Sequence, residues 1–174
     1  MSNLLAKLAE GDMRTAGRSA EVVSEILKHP ELFAEVFEGL FSVHPGVRMR
    51  SADALEKASL KRPELLLPFK KRFLQEALPI SQQEVRWHVA QMLPRLPLTP
   101  SEKKRAAQTL CEWIEGPEKS RIVKVMALQA LVDLAKGDPA LLPLARTKVK
   151  EAMTGASPSI VARGNKLLKL LGKS

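Results

Sequence analysis

The chain has 174 residues, of which 45% are apolar and only 4% aromatic, so one globular domain with an aliphatic, predominantly helical core is expected. Its single cysteine, Cys111, excludes an intramolecular disulfide, and no stretch approaches the roughly 20 apolar residues of a membrane span. We therefore expect a cytoplasmic protein, or a nuclear one in a eukaryotic host, whose net charge of +9 serves either an acidic partner such as nucleic acid or solubility alone.

Proline and glycine divide the chain into segments of helical periodicity, and we predict about ten or eleven helices. In chain order they are expected at about residues 3–9, 13–28, 31–42, 46–61, 64–77, 83–96, 100–115, 120–136, 140–153 and 158–171. Proline is well tolerated in the first turn of a helix, and Pro63, Pro100 and Pro139 each stand at or beside a predicted helix start. The sequence therefore predicts an all-α fold without a β-sheet.

A pattern of valine and leucine recurs with a period of 38 residues. The valines of the four copies are Val47, Val85, Val123 and Val161. The leucines that follow are Leu55, Leu93 and Leu131, with Leu168 one residue early in the last copy. A fixed period in this range is typical of stacked helical repeats. We expect Leu55, Leu93 and Leu131 in the core, each on the second helix of one of about five helix pairs.

The period, the paired helices and the pattern Val-Arg-x-x-x-Ala-x-x-Leu, as in Val47–Leu55, resemble HEAT repeats over nearly the whole chain. The resemblance implies a single HEAT-like domain over residues 1–174, a right-handed α-α superhelix of the HEAT or armadillo solenoid type. The Asp that such repeats often place before Val-Arg is replaced here by Gly46, Glu84 and Ile122. No ladder of alternating Asp and Arg side chains is therefore implied.

Basic residues follow three of the repeat valines, at Arg48, Arg86 and Lys124. A residue that recurs with a repeat usually serves the repeat itself, so we expect these side chains to extend from the seams between neighbouring repeats. The alternative is that they contact phosphate groups of a ligand.

A second row of residues points away from the predicted core face and would line the concave side of a two-layered array. Its members are Met49, Trp87 and Val125, with Arg50, Asp53, Gln91 and Arg95 beside them. Apolar residues next to polar ones suggest a groove for a protein or peptide partner, and we expect Trp87 to expose at least one edge of its indole ring. The alternative is that neighbouring helices bury these side chains.

Motifs of enzymes and metal sites are missing. His29, His44 and His88 do not pair at metal-ligand spacing, and Cys111 lies among apolar residues of a predicted helix. We therefore expect a non-enzymatic interaction scaffold without metal or cofactor. The alternative is a binder of the phosphate backbone of nucleic acid, related to the HEAT-like DNA repair glycosylases, with Trp87 and Asp53 as the available aromatic and carboxylate.

Basic clusters at Lys70–Arg72, Lys103–Arg105 and near the C-terminus are expected to be solvated helix faces. Four leucines near the end of the chain are expected to cover the open end of the stack and not to bind a membrane; they are Leu167, Leu168, Leu170 and Leu171.

Overall fold

The computed structural model describes residues 3–117, 119–156 and 158–172, apart from the side chain of Ser159. All regular elements in these ranges are helical, which confirms the predicted all-α class. Ten α-helices lie in them: α1 (Asn3–Ala9), α2 (Ser19–Lys28), α3 (Leu32–Glu38), α4 (Pro45–Lys61), α5 (Lys70–Arg72), α6 (Gln83–Met92), α7 (Pro100–Glu115), α8 (Arg121–Ala135), α9 (Leu142–Met153) and α10 (Pro158–Leu171). None of these described helices is long and apolar enough to cross a membrane.

Most predicted helix boundaries agree with the structure to within a few residues, and two do not. The helix expected from residue 13 begins only at Ser19. Gly17, two residues earlier, has a φ of 51°, which lies outside the range of a right-handed helix. The helix expected over 64–77 is divided into a 3₁₀ segment (Pro63–Phe69), the short α5 and a π turn (Phe73–Ala77). Pro68 lies inside this stretch and lacks the N–H group that a continuous α-helix needs.

The contacts divide the chain into two compact units, residues 1–97 and 98–174. In the N-terminal unit, α4 is the central helix and packs against α1, α2, α3 and α6. In the C-terminal unit, α8 packs against α7 and α9, and α10 packs against α9 and α8. Each unit is therefore built from helices that follow one another along the chain and pack on each other.

The repeat valines and leucines of three copies are buried in the unit to which each belongs. The fully buried members are Val47, Leu55, Val85, Leu93, Val123 and Leu131. This confirms the prediction that Leu55, Leu93 and Leu131 are core residues. It also supports the helical phase derived from the 38-residue period.

The last copy departs from the predicted phase. Leu167 and Leu171 are buried, whereas Leu168 is only half-buried and Leu170 is exposed. A Cβ atom at Gly164 would lie 2.3 Å from the sulfur of Met153, so α10 approaches α9 closely at this glycine. Gly164, Leu167 and Leu171 recur at helical spacing, and this close approach therefore selects their face for burial.

We expect Leu93→Ala to destabilise the protein by about 2–5 kcal/mol, because it removes buried methyl groups and leaves a cavity. Leu60→Ala is the matched control, since Leu60 is 65% exposed and should change stability by less than about 0.5 kcal/mol. Denaturant unfolding of both variants measures the difference. Equal midpoints for the two would show that the assigned buried face is wrong.

Candidate functional site

A cleft in the N-terminal unit contains the most prominent sequence candidate, Trp87, and is called here the Trp87 cleft. It has a volume of about 260 Å³. Its lining residues come from the loop after α1 and from α4 and α6, and are Met13, Arg14, Thr15, Ala16, Met49, Arg50, Asp53, Glu84, Trp87 and His88. The cleft thus lies where this loop meets α4 and α6.

Trp87 is half-buried in this cleft and leaves part of its indole accessible. Met13 supplies a second apolar surface and is 43% exposed. Met49, which occupies the same repeat position as Trp87, is only 8% exposed and contributes little accessible surface. The apolar part of the cleft that solvent reaches is therefore provided mainly by Met13 and Trp87.

Arg50 does not present its charge to a partner, contrary to the sequence expectation. The residue is 1% exposed. Its guanidinium donates hydrogen bonds to the carbonyl oxygens of Leu8 at 3.0 Å and Thr15 at 3.2 Å, and to that of Asp12. The loop between α1 and α2 leaves these carbonyls without helical partners, and the five donors of an arginine can satisfy several of them.

Two glycines make room for the Arg50 side chain. A Cβ atom at Gly17 would lie 2.9 Å from Arg50 Nε, and one at Gly46 would lie 2.8 Å from Arg50 Nη1. Gly17 also has a positive φ, which a residue with a side chain adopts at a cost. Arg18 closes the same loop by donating to Glu10 at 3.0 Å. Arg50 thus fixes the position of the loop that lines the Trp87 cleft.

Arg95 was also expected beside the groove, but its guanidinium is engaged in hydrogen bonds with other residues of the protein. Its guanidinium donates to the carbonyl oxygen of Glu56 at 2.6 Å, to the hydroxyl of Ser59 at 2.8 Å and to the Glu56 carboxylate. Gln91 is half-buried and donates to the Trp87 carbonyl at 3.1 Å, one turn back on the same helix. Neither side chain lines the Trp87 cleft, because each is drawn to a neighbouring acceptor.

The arginines that follow the repeat valines fasten the loops before their own helices. Arg48 donates to the carbonyl of Ser42 at 2.8 Å, and Arg86 donates to the carbonyl of Ile80 at 3.1 Å. Both bonds span six residues, so the two copies use their arginine in the same way. The guanidinium of Arg48 also donates to Gln82 at 2.7 Å. These contacts favour the structural interpretation of the recurring arginine over phosphate binding.

Asp53 and His88 form the polar end of the Trp87 cleft. The Asp53 carboxylate accepts hydrogen bonds from Ser19 at 2.5 Å and Lys57 at 2.7 Å, so its charge is already paired. His88 Nε2 lies 3.8 Å from the same carboxylate, and its Nδ1 is buried without a partner among the described residues. Burial lowers the pKa of the His88 imidazole below its ordinary value of 6.5, and the nearby carboxylates of Asp53 and Glu56 oppose that effect.

The remaining two candidates, Lys124 and Val125, lie in the C-terminal unit. Both line a separate cleft of about 310 Å³, called here the Val125 cleft. Sequence reasoning missed its other apolar residues, Ile114, Leu128, Ala152 and Ile160. They come from four different helices, so no spacing along the chain would reveal that they meet.

No group of three or more His, Cys, Asp or Glu side chains among the described residues is placed to hold a metal ion. Cys111 is half-buried, and burial raises the pKa of its thiol, which makes the thiolate scarcer at neutral pH. The chain matches no protein-family model, no curated protein and no solved structure.

We expect Arg50→Lys to lower stability by about 1–3 kcal/mol, because lysine cannot reproduce the forked donors that reach several carbonyls. Loosening of the loop should also speed cleavage by trypsin after Arg14. Thermal melts and timed digestion with mass spectrometry measure the two effects. Arg62→Lys is the control, because the one ion pair of Arg62 among the described residues is with Glu64 at the surface. Unchanged cleavage in Arg50→Lys would exclude the anchoring role.

Stability should decrease as the pH falls below about 6.5, in part because His88 must remain neutral in the folded state. In the unfolded chain the His88 imidazole takes up a proton near pH 6.5, whereas in the folded protein its lowered pKa requires a lower pH. Between these two values the unfolded state binds more protons, so acid favours unfolding. His88→Gln should flatten this part of the pH profile. An NMR titration in which the His88 imidazole protonates above its ordinary pKa of 6.5 would contradict the prediction.

Proposed function

We propose that this protein is a non-enzymatic interaction scaffold that binds a protein or peptide partner, with the Trp87 cleft as its first contact site. The observation that carries the proposal is that a half-buried tryptophan and an exposed methionine line the same cleft. Tryptophan is enriched among the residues that dominate binding energies, and methionine adapts to varied apolar partners. We further propose a cytoplasmic location, or a nuclear one in a eukaryotic host.

The size of the cleft favours a partner side chain over a small molecule. Pockets that enclose drug-sized ligands have about 300–1,000 Å³, and the Trp87 cleft, at about 260 Å³, lies below this range. One large apolar side chain of a peptide would cover Trp87 and Met13 while its backbone remained at the rim. Arg14 and Glu84 stand in the lining with opposite charges, so polar groups of either sign on the peptide have a counterpart.

We also propose that the helix pairs follow the right-handed superhelix of HEAT or armadillo proteins over residues 1–174. The 38-residue period and the burial of equivalent valines and leucines within each unit support this arrangement. Such arrays commonly present the second helices of successive repeats to a partner, and Trp87 lies on one of them.

Nucleic-acid binding is the second candidate, favoured by one observation. Residues 98–174 contain 14 basic and 7 acidic residues, a net charge of +7. Against it, Arg48 and Arg86 already donate to loop carbonyls, and the Asp53 carboxylate is paired with Ser19 and Lys57. The carboxylate that a glycosylase-like reaction needs is therefore occupied. Binding that weakens steeply with salt would support this candidate over the scaffold.

Peptide display tests the proposed function directly. The full chain is panned against a random peptide library, and the affinity of each enriched peptide is measured by fluorescence anisotropy. Trp87→Ala should weaken binding by about tenfold or more, which corresponds to about 1.4 kcal/mol or more. The melting curve should stay close to that of the unchanged protein, because the indole is already partly exposed.

Leu60→Ala provides the matched control, since it removes an exposed apolar side chain outside the cleft. Its peptide affinities should equal those of the unchanged protein. Equal affinities for the Trp87→Ala variant would reject the cleft as the binding site. A loss of several kcal/mol of stability in that variant would instead identify Trp87 as a core residue.

A further inference from the structure

The Val125 cleft combines an apolar floor with an uneven distribution of charge. Val125 and Leu128 of α8 form its floor together with Ala152 of α9 and Ile160 of α10. Four charged residues surround this floor, two of each sign: Glu115, Arg121, Lys124 and Glu151. The formal charges of these four residues sum to zero. Two of them, however, pair with a further residue outside the lining, and this changes the local charge.

Both glutamates of the cleft share one lysine that does not line it, and this lysine offsets one of their two negative charges. The Lys148 ammonium pairs with the carboxylate of Glu115 and with that of Glu151 at 2.8 Å. These hydrogen bonds raise the pKa of Lys148, so it remains charged and keeps both pairs in place at neutral pH. With Lys148 included, the charged groups in and beside the cleft carry one net positive charge.

The two cations of the cleft are not paired in this way with any of the described residues. Arg121 and Lys124 form no ion pair and no side-chain hydrogen bond with any residue that the structure describes. They stand one helical turn apart on α8, at positions i and i+3, and so share one side of that helix. Two cations without a described ion pair, next to an apolar floor, suit an occupant that is both apolar and anionic.

We propose that the Val125 cleft binds an acidic peptide segment that inserts a large aliphatic side chain and places a neighbouring carboxylate against Arg121 and Lys124. The aliphatic side chain covers Val125, Leu128 and Ile160. The carboxylate lies at the rim, where the two cations meet it without being desolvated as completely as a buried pair. This second site is separate from the Trp87 cleft and does not depend on the function proposed for it.

A peptide fits this cleft better than a free amphiphilic molecule does. Sites for small ligands usually bury most of the ligand surface, whereas Glu115, Arg121 and Glu151 on the rim are exposed and leave one side open to water. A side chain attached to a peptide backbone needs no such enclosure, because the backbone itself stays solvated. The net charge of +7 in this unit also steers acidic segments toward it.

Chemical-shift mapping with defined peptides tests the proposal on the full chain. The probe is a short acetylated and amidated peptide with central leucines flanked by glutamates. Two matched peptides replace either the leucines by serine or the glutamates by glutamine. The probe should shift the amide signals of Lys124, Val125 and Leu128, and each replacement should weaken its affinity by about fivefold or more, about 1 kcal/mol by the affinity relation.

Charge-matched variants locate the effect on the protein. The double variant Arg121→Gln and Lys124→Gln should weaken the probe by about tenfold or more. The control is Lys104→Gln with Arg105→Gln, which removes the same charge from exposed positions of α7 in the same unit and should stay within about twofold. Leu60→Ala, which lies outside both clefts, should leave probe binding unchanged. Arg121 and Lys124 lie outside the Trp87 cleft, so failure of this proposal is distinguishable from failure of the function proposed for that cleft.

Three outcomes would overturn the proposal. The probe and its serine version could bind equally, which would show that the apolar floor takes no part. A single-stranded oligonucleotide or vesicles with anionic lipid could bind in an Arg121- and Lys124-dependent manner while the probe does not, which would assign the cations to phosphate groups. The probe could also shift only signals outside the cleft. Leucine- and glutamate-dependent shifts confined to the Val125 cleft would support the proposal.

Discussion

The buried guanidinium of Arg50 is the interaction on which the candidate site depends. A buried charge without partners is costly, and here the described residues offer carbonyl oxygens and no carboxylate to compensate it. The carbonyls belong to Leu8, Asp12 and Thr15, so one side chain of α4 ties down the whole connection between α1 and α2. That connection carries Met13, which faces the cleft that also contains Trp87. Without Arg50, the indole would lie on an open helix surface instead of in a cleft.

The same use of arginine explains why the net charge of the chain is a poor guide to its partner. In the N-terminal unit Arg48, Arg50, Arg86 and Arg95 all donate to backbone carbonyls, so much of its positive charge serves loop anchoring. The C-terminal unit holds most of the net charge, and Arg121 and Lys124 at its cleft form no ion pair with the residues that the structure describes. Attraction of an acidic partner is therefore expected from the C-terminal unit, while the N-terminal unit offers mainly apolar contact.

The sequence predicted the helices and the core well, because both depend on local periodicity and on a period that repeats along the chain. It predicted the accessible edge of Trp87 for the same reason. It failed for Arg50 and Arg95, because the acceptors that bury them belong to distant segments: the loop at residues 8–15 for Arg50, and Glu56 with Ser59 for Arg95. The phase of the last helix was also missed, since the contact between Gly164 and Met153 joins different helices.

Intermolecular NOEs between a display-selected peptide and the full chain test the central claim most directly, because they report contact and not affinity alone. The account predicts NOEs from an apolar side chain of the peptide to the indole protons of Trp87 and to the methyl group of Met13. Both must appear for the same bound side chain, since the Arg50-anchored loop and α6 line the same cleft. A peptide that binds in a defined complex and shows NOEs to neither residue would contradict the account.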